Sequence, residues 1–115
     1  MKEIALHEET QQLVKTLAAL ANPARFRILE ILARQPRTIV ADIVDQLPIA
    51  QATVSQHLSV LRDAGLIFGE RDGSGQCCRV NFETVSQFAQ DIAAWTLRLA
   101  VLGIQDGTDG KSCKP

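Results

Sequence analysis

Gln51, Thr53, Ser55, Gln56, His57 and Ser59 fall within one short stretch that carries amides and hydroxyls but no Lys, Arg, Asp or Glu. Such groups suit the major groove of DNA, where a Gln amide pairs with adenine and Ser or Thr reaches bases or phosphates. A helix face that meets only solvent more often carries Glu and Lys, and a plain polar face of a helical domain is the competing reading. The second reactive group is Cys77, Cys78 and Cys113. Three thiolates match the number and softness of ligands that trivalent arsenic takes, and two suffice for a methylated arsenical. Adjacent residues of a strand point to opposite faces, so Cys77 and Cys78 share an ion only if the strand bulges or ends there. Nearby arginines would favour thiolates; the alternative is that Cys77 or Cys78 is a small buried hydrophobe and Cys113 incidental. His7 stands alone, a solvated side chain rather than a ligand, since nothing nearby completes a site. No Gly-rich phosphate loop and no workable His and Cys pairing is present, so no enzyme and no required cofactor are expected.

These side chains are carried by a chain of 115 residues, one domain's worth, 46% hydrophobic and 22% charged, as in an ordinary soluble globule. No apolar run reaches the length of a membrane span, and the charged N-terminus MKEIALHEET does not read as a signal peptide. A cytoplasmic chain with reduced thiols is expected. The net charge of −1 weighs against nucleic acid, because phosphate neutralisation needs Lys and Arg. Any basic footprint must come from spatial placement.

The apolar pattern supplies the elements. Residues 2–21 read as a helix with two adjacent apolar lines, Leu13, Leu17, Leu20 and Val14, Ala18, Ala21, a face broader than a small domain needs. Asn22 as cap and Pro23 as first residue start a second helix to Ala33, with Ile28, Ile31 and Leu32 inward. Arg25, Arg27 and Arg34 lie outside that face, for solvent or phosphate. Thr38 can cap a third helix, which Leu47 and Pro48 stop near Gln46. A fourth begins near Ala50, a poor cap, and its Val54, Leu58, Leu61 stripe docks it; at about 100° per residue Ala52, Gln56, Ser59 and Asp63 point away. Ala64 and Gly65 end it. Residues 66–71 and 76–81 read as two strands joined by Asp72, Gly73, Ser74 and Gly75, with Arg71 and Arg79 flanking the tip, for backbone or minor-groove contact or simply for solvent. A last helix from Thr84 to Leu102 steps through Val85, Phe88, Ile92, Trp95, Leu99 and Leu102, a second surplus apolar face. Gly103 should end it, leaving a polar, Gly-rich tail over 104–115. The fold class is mainly α with a small β-hairpin, one domain over 1–103.

LAALANPARFRILEIL followed by ATVSQHLSVLRDAGLI and a short hairpin resembles the ArsR/SmtB family of winged helix-turn-helix transcriptional repressors. The resemblance spans roughly residues 13–100. It implies the order α1-α2-α3-α4-β-β-α5 and a homodimer paired through residues 2–21 and 84–102, which gives both surplus faces a use. It also implies an operator-bound repressor released by an inducer. On matching positions the DNA-binding residues would be Gln51, Thr53, Ser55, Gln56, His57 and Ser59, with the wing at Arg71 and Arg79; His57, at the edge of the Leu58 stripe, is equally a packing residue. The family commonly has Ser where Ala50 stands and an aromatic near Cys78.

Two family metal sites are missing. Ile39 and Ala41 occupy its Cys-x-Cys positions, and Asp91 is followed by Ala93, with Ile104 and Gly107 at the distant zinc positions. The remaining expectation is a trivalent or methylated arsenical held by Cys77, Cys78 and Cys113. A thiol redox switch without metal, in which Cys113 takes part because adjacent-residue disulfides are strained, and a winged helix used only for protein contacts are the alternatives.

Overall fold

Asn22 shows how local chemistry sets the architecture. Its side-chain oxygen accepts from the amides of Ala24 at 2.9 Å and Arg25 at 3.2 Å, and Pro23 follows as the first helical residue. Those bonds satisfy amides that the first turn leaves without partners. The chain thereby breaks between α1 (Glu8–Leu20) and α2 (Pro23–Arg34). The computed structural model describes residues 4–35, 38–72 and 75–105, and the side chains of all of these except 70–72 and 75.

After α2 come β1 (Thr38–Ile39), α3 (Val40–Asp45), α4 (Gln51–Asp63), β2 (Ile67–Asp72), β3 (Gly75–Val80) and α5 (Phe82–Gln105). This is the expected mainly α winged arrangement with one addition: the wing is a three-stranded antiparallel sheet in the order β1-β3-β2. Thr38 stands opposite Cys78 and Ile39 opposite Cys77, while Gly69 faces Cys78 and Ile67 faces Val80 across β2. Thr38 therefore serves as a strand residue. Its hydroxyl donates to the carbonyl of Gln35, and α3 starts after Ile39 with no side-chain cap.

One core joins α2, α3, α4 and the sheet: Ile28 and Leu32, Ile43, Val54, Leu58 and Leu61, then Leu66, Ile67, Cys78 and Val80. The expected α4 stripe is fully enclosed. Gly65 follows α4 with φ 78°, a left-handed conformation that glycine adopts without steric cost.

The terminal helices depart from expectation. Residues 4–7 are not helical, and α1 begins after His7 with Glu8 and Glu9 in its first turn, where carboxylates meet the positive end of the helix dipole. Leu13, Thr16 and Ala19 form its buried line, whereas Val14, Leu17 and Ala18 are exposed. Thr16 fits indoors because its hydroxyl donates to the carbonyl of Gln12 at 3.0 Å. α5 starts two residues early, where the Asn81 side chain accepts from Thr84 N at 3.4 Å, and it runs through Gly103 to Gln105. A single helical glycine costs only about 1 kcal/mol relative to alanine, too little to stop a 24-residue helix. No residue of α5 is buried.

Candidate nucleic-acid interface

α4 has two chemically distinct sides because its apolar residues recur at helical spacing. Val54, Leu58 and Leu61 are buried at 0–2% exposure. On the other side Gln51, Ala52, Ser55, Gln56, Ser59 and Asp63 are exposed, and Thr53 and His57 are half-buried at the edges. The six polar positions expected from the sequence thus lie along one helix, four outward and two flanking. Ala50 precedes the helix in an extended conformation and supplies no side-chain cap. The first intrahelical bond runs from Val54 N to Ala50 O at 3.0 Å, so the amides of Gln51, Ala52 and Thr53 lie ahead of it. Uncapped amides at a helix N-terminus suit a phosphate oxygen. The poor cap inferred at Ala50 is thus compatible with a helix whose start meets a DNA backbone.

The wing stands beside this helix. Arg79 is exposed on β3 with its guanidinium 4.3 Å from the centroid of the Phe68 ring on β2, a stacking that restrains the cation. Arg71 lies on β2, and its side chain is outside the described residues. Arg62, in the last turn of α4, lies against Gly69 of β2: a Cβ at Gly69 would come within 3.0 Å of Nε and 3.2 Å of Nη2. Helix end and wing are therefore in direct contact where β2 lacks a side chain.

Arg25 is half-buried, with its guanidinium bonded to neighbouring helices rather than left to solvent or phosphate. From the third position of α2 its Nε donates to Ala19 O at 2.6 Å and Nη2 to Ala18 O at 3.4 Å, the last carbonyls of α1. Its Nη1 lies 3.3 Å from Nδ1 of His57 on α4. The readable signal was Arg25 just past a helix end, where a cation satisfies terminal carbonyls; the link to His57 spans 32 residues and has no local signature. Arg27 does lie at the surface, pairing with Glu30 at 3.6 Å.

The cysteines occupy the central strand. Cys77 and Cys78 are both buried, at 5% and 1% exposure, and neither forms a disulfide. Cys78 shares its sheet face with the core residues Ile67 and Val80, and strand alternation sends Cys77 to the other face. Burial raises the Cys78 thiol above its ordinary 9.0, and Arg62 only partly opposes this. The expected arginine effect is therefore present but outweighed at Cys78. The folded state holds that proton longer than the unfolded chain, so its contribution to stability is complete below pH 9.0 and declines as pH rises through the elevated folded value. In the reduced protein near neutral pH, Cys78 should react with iodoacetamide at least about tenfold more slowly than in urea, as followed by mass spectrometry. Equal rates would mean an accessible thiol. Cys113 lies outside the described residues. Among those described, no cluster of three or more His, Cys, Asp or Glu has the geometry to hold a metal ion.

A buried stripe that presents a polar helix, preceded by a short helix and flanked by a paired β-wing, defines a winged helix-turn-helix regulator. A model of the arsR family of bacterial regulatory proteins matches residues 22–67. An uncharacterized HTH-type transcriptional regulator of Mycobacterium tuberculosis (strain ATCC 25618 / H37Rv) is 31% identical over 107 residues, covering 89% of this chain and 91% of that protein. The HTH-type transcriptional repressor SmtB of the same strain is 44% identical over 57 residues, 50% of this chain and 42% of its own. An ArsR-like transcriptional regulator from Rhodococcus sp. RHA1 shares the fold, with a TM-score of 0.69 at 24% identity over 87% of this chain and 96% of its own. The chain belongs to the arsR family of bacterial regulatory proteins. No helix among the described residues is long and apolar enough to cross a membrane.

Proposed function

We propose that this protein is a homodimeric transcriptional repressor that occupies operator DNA through α4 and the wing and leaves it when an inducer binds. The observation that carries the reading is α4 itself: a fully buried Val54, Leu58, Leu61 stripe supports an outward face of Gln51, Ser55, Gln56 and Ser59. Thr53 and His57 flank that face, and Arg71 and Arg79 belong to the wing beside it. Amides and hydroxyls on a rigid helix fit base edges, and the net charge of −1 leaves affinity dependent on a few placed cations. The homodimer reading rests on exposed apolar side chains of α1 and α5, among them Val14, Leu17, Trp95, Leu99 and Leu102. Fluorescence anisotropy with a labelled duplex from the region upstream of its own gene tests the whole. Tight binding that weakens with salt is the expected result, and absence of binding would leave a winged helix used for protein contacts.

Gln56→Ala separates base reading from backbone attraction. Loss of a bidentate amide contact should weaken operator binding by about 1–3 kcal/mol while leaving non-specific duplex affinity unchanged. Equal weakening on both duplexes would assign Gln56 to the backbone instead.

The inducer reading with a specific observation behind it is a thiol-binding one. Cys77 and Cys78 sit on β3, which pairs with both β1 ahead of α3 and β2 of the wing. A trivalent or methylated arsenical captured there, with Cys113 as a further ligand, would have to open that strand and so disturb wing and helix-turn-helix together. An inducer works only by binding the DNA-free state more tightly. Arsenite added to the reduced complex should release the duplex, and Cys77→Ser or Cys78→Ser should abolish release without changing affinity. Release by oxidant but not by arsenite would favour a redox switch on the same thiols.

A further inference from the structure

Arg25, on α2, touches two other parts of the fold at once. It bonds the carbonyls of Ala18 and Ala19 at the end of α1 and lies 3.3 Å from Nδ1 of His57. A guanidinium has five N–H donors, no acceptor, and stays protonated in proteins. At that contact Arg25 must donate and the imidazole must accept. Nδ1 is then the acceptor, and in the neutral ring the one proton resides on Nε2.

The position of His57 gives this tautomer a use. The residue is half-buried at the border between the enclosed stripe and the exposed face of α4, adjacent in sequence to exposed Gln56. With Nδ1 turned to Arg25, the N–H on the far side of the ring is the donor left to offer. We infer that Arg25 is a positioning residue of the DNA interface. It locks the ring and tautomer of His57 so that Nε2–H donates to a backbone phosphate beside α4, while anchoring α4 to the end of α1. The inference rests on the operator-binding reading above, which it deepens by naming one donor and the residue that orients it. A guanidinium serving only to cap α1 would leave His57 free to choose either tautomer and would not couple to DNA affinity.

Two readouts test this, one without DNA. In the full-length protein at about pH 8, above the ordinary histidine range, imidazole nitrogen shifts of His57 should report the Nε2–H tautomer alone. Arg25→Lys retains a cation that can cap Ala19 but has no rigid fork to hold the ring; it should keep the melting temperature within a few degrees and bring in the Nδ1–H form. Anisotropy with the upstream duplex provides the second readout. His57→Phe, a ring without donors, should lose about tenfold or more in affinity. His57→Gln, whose amide N–H reaches about as far as Nε2, should recover most of that loss. In the His57→Phe background, Arg25→Lys should cost nothing further. An Nδ1–H tautomer in the unaltered protein would overturn the inference. So would wild-type affinity in His57→Phe, or losses at the two positions that simply add. If the unaltered protein binds no duplex, the operator reading falls and takes the phosphate contact with it, while the nitrogen shifts still decide whether Arg25 orients the ring.

Discussion

If the proposed homodimer pairs through α5, a Trp95→Asp, Leu99→Asp double variant should sediment as a monomer and bind operator duplex at least about 100-fold more weakly than the unaltered protein, because two linked half-site contacts would become one. α5 is the reason to expect so large an effect. It is 24 residues long with no buried residue, yet Trp95, Leu99 and Leu102 recur along it at 40%, 50% and 55% exposure. Val14 and Leu17 of α1 are similarly bare. Burying a large apolar side chain fully is worth roughly 1.5–3 kcal/mol, and each protomer presents several that its own fold only half covers. An unpaired carboxylate buried in such a face would cost several kcal/mol. Neither residue belongs to the core around Leu58, so circular dichroism and melting should change little. Analytical ultracentrifugation and anisotropy on the same samples check the prediction; a double variant that stays dimeric would place the interface elsewhere.

Leu58→Ala should produce the other large effect, this time on stability. Leu58 is 2% exposed and stands midway along the buried stripe of α4, in the core shared by α2, α3 and the sheet. Truncation removes three buried carbons and leaves a cavity, for an expected loss of about 2–5 kcal/mol. Small domains commonly have only about 5–15 kcal/mol in total, so the variant should be partly unfolded at moderate temperature. The shift in urea midpoint measures this at unchanged slope. Gln56→Ala, two residues away on the exposed side, is the control, with an expected change within about 0.5 kcal/mol. A Leu58→Ala midpoint equal to that of the unaltered protein would mean that the stripe does not hold the helix.

Legibility in the sequence followed the range of the interactions. Asn22 with Pro23, the stop at Leu47 and Pro48, and Gly65 after α4 were all readable, because caps, prolines and left-handed glycines act within a few residues. The buried α4 stripe was readable for a related reason: helical geometry turns a one-dimensional spacing into a face. Misreadings arose where a residue's neighbours are distant in the chain. The apolar lines drawn on α1 omitted Thr16 and Ala19 and included Val14 and Leu17, since the side that a helix buries is chosen by what packs against it. β1 is two residues long, too short for any periodicity, and exists only because β3 offers it a ladder. Gly103 looked like a stop, but one unfavourable residue cannot offset the hydrogen bonds of the helix around it.

The candidate site divides along the same boundary. Residue type and spacing alone determined that Ala52, Gln56, Ser59 and Asp63 point away from the buried stripe, and that adjacent Cys77 and Cys78 face apart on a strand. Helical and extended periodicities are properties of the backbone and need no tertiary partner. Tertiary structure alone decided that both cysteines are enclosed, with the Cys78 thiol pushed up by desolvation, and that Arg25 reaches His57 across 32 residues. Burial and long-range hydrogen bonds depend on which surfaces meet, and that is settled only when the whole chain has packed.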